Sequence, residues 1–110
     1  MADLDVNKLV QDMLNQMKPI LGAHWDQVQV YAKNETEKLG VSLAKIQADK
    51  LLGKVSEQQA NILFDMQKNA SSAVLAAMHG IGEMTAAQAM SAALESLKDP
   101  INQALGFKLL

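Results

Sequence analysis

The chain contains no cysteine and no arginine. Without cysteine it can form no disulfide, no thiolate metal site and no cysteine nucleophile, and its redox compartment is left undetermined. All ten basic residues are lysine and the net charge is −2. Arginine is the side chain that grips phosphate and guanine bidentately. Its absence, with no basic stripe in its place, argues against any nucleic-acid partner.

Rings and prolines are also few. There is one Trp, one Tyr and two Phe. Proline occurs only at Pro19 and Pro100. No stretch alternates Val, Ile, Thr or Tyr for long, so strands are not expected. A core of Leu, Met and Ala with so few rings is that of packed helices, and the fold class expected is all-α. Catalytic groups are scarce as well, with two histidines and no Ser-His-Asp arrangement. Gly80-Ile81-Gly82 follows helical sequence rather than a strand, so it is not a nucleotide-binding loop. The chain is not expected to be an enzyme or to carry a cofactor.

What the sequence does contain is helical periodicity. Residues 4–17 place Leu4, Leu9, Val10, Met13, Leu14 and Met17 on one face. Asp3 or Asp5 caps this short helix, and Lys18-Pro19 ends it. Residues 23–54 form a long helix with the seam Trp25, Val28, Ala32, Glu35, Leu39, Leu43, Ile46 and then Leu51 or Leu52. Trp25, at its start, is read as a core anchor. Gly40 interrupts the helix mildly, and Gly53 closes it.

After a connection too short for anything but a tight turn, Ser56 and Gln59 make a capping box. From there the spacing predicts one helix over 56–98, stopped by Asp99-Pro100. Its seam runs Leu63, Met66, Ala70, Ala73, Ala77, Ile81, Met84 and on through Gln88 and Ala92 to Glu95. Gly80 and Gly82 are its weak point, each costing about 1 kcal/mol against alanine. The seam's unbroken phase favours a continuous helix through them. A short helix over 100–106, with Asp99 as N-cap and Gly106 as C-cap, precedes an apolar tail at 107–110.

The expected architecture is a long antiparallel hairpin, 23–54 against 56–98, with short flanking helices. Two such helices bury only one face each, so the hairpins are expected to pair into a four-helix bundle or coiled coil by homodimerisation. The small residues Ala70, Ala73, Ala77, Gly80 and Met84 beside them mark the self-association face. Phe107, Leu109 and Leu110 are expected to pack back on the bundle or to dock on a partner. The leading functional expectation is a structural or adaptor component of a larger assembly, self-associating and bound to some further protein.

Two other readings stand beside it. Glu35 occupies a seam position where an apolar residue belongs, and hairpin register places it opposite residues 76–79. With His79 and Glu83 it offers a carboxylate–histidine set which, doubled across a two-fold axis, would make a dimeric, ferritin-like metal-binding bundle. The Glu-x-x-His spacing of such bundles is missing. Second, residues 69–94 hold a single charge, Glu83, over a length able to span a bilayer. They are mostly Ala, Ser and Gly, too weakly apolar for insertion to be favoured, which leaves membrane contact as the lesser alternative. The acidic start, Met1 to Asp5, lacks the apolar core of a secretory leader, and the expected location is cytoplasmic.

Overall fold

In the computed structural model, residues 4–110 are described, and they form helices joined by short turns, with no strand among them. Helix α1 spans Val6–Leu21 and a 3-10 turn covers Gly22–His24. Helices α2, α3 and α4 span Trp25–Leu51, Glu57–Ala77 and Gly82–Leu105. Successive helices pack on one another. Helix α1 packs on α2 and α4, and α3 packs on the same two. The result is a rod of 43 × 22 × 18 Å.

Local chemistry sets most of the ends. Asp5 caps α1 by accepting from the Lys8 N–H at 3.3 Å. Asp3 lies outside the described residues. At the end of α2, Gly53 takes a positive φ of 72°. Its N–H donates to Lys50 O, and the Lys54 N–H donates to Asp49 O. This paired closure satisfies carbonyls that the helix leaves open. At α3 the Ser56 N–H donates to Gln59 Oε1 at 2.9 Å and the Gln59 N–H donates to Ser56 Oγ at 3.1 Å. That is the expected capping box.

Neither proline stops a helix. Pro19 lies inside α1 and Pro100 inside α4. Each removes one intrahelical hydrogen bond. Burial outweighs that loss, since Leu21 after Pro19 and Ile101 and Leu105 after Pro100 are all buried. The separate helix expected over 100–106 is thus the last part of α4, which closes at Gly106 with φ 79°.

The larger correction concerns the helix expected over 56–98. It is two helices, broken after Ala77. Met78 is extended, and His79, Gly80 and Gly82 all take positive φ, at 45°, 75° and 79°. Helix α4 therefore folds back along α3 with a different face inward. Its buried residues are Ala86, Ala89, Met90, Ala93, Leu94, Leu97, Ile101 and Leu105. Gln88 and Glu95, on the expected seam, are exposed. A helix that presented polar groups to a core would pay their desolvation, and turning the chain back avoids it.

The seam of α2 is as expected: Val28, Ala32, Glu35, Leu39, Leu43 and Ile46 are buried, and Trp25 packs on the core partly buried. Leu51 and Leu52 are instead exposed. Gly40 has a clear role. A Cβ there would meet Val6 Cγ1 at 3.2 Å, so the missing side chain lets α1 approach α2 closely.

Candidate interaction surface

Helix α3 is held inward by few residues. Ala60, Phe64, Ser71 and Leu75 are its buried positions. They recur at near-helical spacing and leave the flank of α3 beyond them, beside α2, largely uncovered. On that side stand Leu63, Met66, Ala70, Ala73 and Ala77, all exposed. Ile62, beside them, is 53% exposed, Leu63 48% and Met66 64%. A soluble helix ordinarily turns polar residues outward, so α3 presents an apolar stripe on the side its own chain does not cover. The three-four spacing of the stripe is that of a seam made for another helix.

A groove of about 420 Å³ runs beside the stripe, between α2 and α3. Ser42, Ile46 and Asp49 form one wall, and Leu63, Met66 and Ala70 the other. Lys45 and Asp49, the charges that line it, are paired with each other, and two further ion pairs lie elsewhere on α2 and α3. Lys45 meets Asp49 at 3.0 Å, Lys38 meets Glu35 at 3.0 Å and Lys68 meets Asp65 at 3.5 Å.

Of the residues expected to mark self-association, Ala70, Ala73 and Ala77 lie together on this stripe. Gly80 is in the turn after α3. Met84 is 77% exposed but sits on α4, in its first turn. The break at 78–81 therefore shortens the stripe to 63–77. Ile62 belongs to the surface although the seam skips it. Its proximity in sequence to Leu63 and Met66 was the available signal.

The three residues considered for metal binding are placed separately. Glu35 is buried at 4% exposure, and its Oε2 accepts from Lys38 Nζ. The His79 ring lies 6.2 Å from that of Tyr31, tilted by 47°. Glu83 is exposed in the first turn of α4, where a carboxylate suits the positive end of the helix dipole. No group of three or more His, Asp or Glu side chains able to hold a metal exists among the described residues. Nor does any buried side-chain nitrogen or oxygen there lack a hydrogen-bond partner.

The apolar tail folds back on its own bundle. Phe107, Leu109 and Leu110 pack partly buried against the core. Asn102 holds the tail: its Oδ1 accepts from the N–H groups of Leu109 and Leu110, and its Nδ2 donates to Leu110 O. Lys50 Nζ lies 5.8 Å from the centre of the Phe107 ring. The stretch 69–94 is divided between α3 and α4, and no helix among the described residues is long and apolar enough to cross a membrane.

Compared with protein-family models, curated proteins and solved structures, the chain matches none.

Proposed function

We propose that this chain is a non-enzymatic helical module that works by associating through the outer face of α3, as a structural or adaptor part of a larger assembly. One observation carries the reading: Leu63, Met66, Ala70, Ala73 and Ala77 form a helix-spaced apolar stripe that the chain's own core leaves exposed. Such a stripe costs free energy in water and lowers it when another helix covers it. In a pair of such chains two α2–α3 hairpins meet through α3; this is not the pairing of 23–54 with 56–98 hairpins expected from the sequence, because α3 ends at Ala77 and α4 turns back. Alanine at three of the five positions allows the helix axes to approach to about 8 Å.

Met66→Lys and Ala73→Lys test this reading. Both positions are exposed in the single chain, so both variants are expected to keep the helical content and unfolding midpoint of the monomer. The unaltered protein is expected to show an assembled mass in light scattering, and both variants are expected to lose it. Assembly that persists unchanged in both variants would rule out the α3 face.

A further inference from the structure

We infer that the occupant of the α3 stripe is a second copy of the chain, paired antiparallel about a two-fold axis at Ala70. This rests on the reading of α3 as the association face and adds to it the partner and the register.

The argument starts from side-chain volume. The stripe is graded: Leu63 and Met66 at one end, Ala73 and Ala77 at the other, Ala70 in the middle. A two-fold contact sets the same patch against itself. In the antiparallel arrangement Leu63 faces the partner's Ala77, and Met66 faces the partner's Ala73. Large meets small along the whole contact, and the helix separation stays even. In a parallel arrangement the large ends meet each other and the small ends meet each other. The helices are then wedged apart at 63–66 and cannot close at 73–77. The gradient is thus self-complementary in one orientation only.

Charge agrees with a copy of the same chain. From Asn69 to Ala77, α3 carries no charged residue. The charges that border the stripe, Asp65 with Lys68 and Lys45 with Asp49, are already paired within the chain. Two copies therefore meet without opposing unpaired like charges, which would otherwise disfavour a self-contact.

Area sets the strength. Ile62, Leu63, Met66 and the three alanines expose on the order of 400 Å² of apolar surface, which is in the range of the largest patch on a monomer. A two-fold contact uses the patch twice. With its polar border it reaches the roughly 1,000 Å² that a specific interface needs, at the small end of the range. The pairing is accordingly expected to depend on protein concentration.

Introduced cysteines test the register, because the chain has none of its own. Ala70→Cys places two thiols at the axis, within disulfide reach. Leu63→Cys alone places them some fourteen residues apart along the helices, about 21 Å at the helical rise. The same holds for Ala77→Cys alone. Under mild oxidation, Ala70→Cys is expected to form covalent dimer at least about tenfold faster than either, since a disulfide needs Cα atoms within about 7 Å. Mixing Leu63→Cys with Ala77→Cys is expected to give the mixed dimer in preference to both self-dimers. The inference is overturned, with self-association intact, if the oxidised protein is dimeric by mass and Leu63→Cys and Ala77→Cys each link to themselves as fast as Ala70→Cys. If the unoxidised protein is monomeric at every concentration and no variant cross-links, both the register and the association face fall.

Discussion

The backbone N–H of Leu4 donates to Gln47 Oε1 at 3.0 Å, across 43 residues of sequence. The other end of the same amide, Nε2, reaches Ala104 O at 3.5 Å. Gln47 is buried, so one side chain on α2 ties the entry to α1 to the end of α4. Replacing it with alanine removes the partner of two half-buried backbone groups, the Leu4 N–H and the Ala104 carbonyl. Gln47→Ala is expected to destabilise the fold by about 1–3 kcal/mol in urea unfolding. A change within a few tenths would mean that the amide does not join these elements.

The turn between α3 and α4 makes a prediction whose sign is informative. Gly80 and Gly82 both have positive φ, and a Cβ at either would meet nothing within 4 Å. Alanine there encounters no clash, only an unfavourable backbone. Gly80→Ala and Gly82→Ala are each expected to destabilise by about 1–2 kcal/mol. In a continuous helix the same changes would stabilise by about 1 kcal/mol. Thermal unfolding of the two variants therefore distinguishes the turn from a straight helix.

Gly40 has the opposite character. Its backbone is helical, but α1 lies against it through Val6 and Val10. Gly40→Leu must push α1 outward, and overpacking of that kind costs about 1–3 kcal/mol. Exchange of the α1 amides, followed by mass spectrometry, is expected to speed up more than exchange in α3. Equal acceleration in both helices would contradict the close approach of α1 to α2.

Asn102 supplies three of the contacts that hold the tail. Asn102→Ala is expected to cost about 1 kcal/mol. The variant should free the amides of Leu109 and Leu110 to exchange as fast as an unstructured peptide. Retained protection of both would show that Phe107 and its apolar neighbours hold the tail unaided.

Much of this fold is legible in the residues. The α2 seam from Val28 to Ile46, the capping box at Ser56 and Gln59 and the closing glycines at 53 and 106 all act locally, through spacing and hydrogen bonds within a few positions. The errors arise where a tertiary effect overrules a local one. Pro19 and Pro100 read as stops, yet burial of Leu21, Ile101 and Leu105 carries each helix past its proline. The continuous helix over 56–98 rested on a seam whose phase survives Gly80 and Gly82. That seam gained polar members, Gln88 and Glu95, beyond the glycines, and the polarity was the sign that the inward face had changed. On the candidate surface, Ala70, Ala73 and Ala77 were legible from their small size and spacing. The hairpin register set His79 opposite the part of α2 around Glu35, and its ring lies 6.2 Å from that of Tyr31, one turn earlier on α2. Antiparallel register cannot be fixed to better than a turn from the hairpin's length, because the geometry of the closing turn sets it.

Sedimentation equilibrium of the unaltered protein over a wide concentration range tests the central claim most directly. The chain mass is 11.9 kDa. If the exposed α3 stripe is an association face, the mass must rise reversibly with concentration toward twice that value. A mass that stays at the single-chain value up to the highest concentration reached would contradict the account. The stripe would then be surface that this chain does not use on itself.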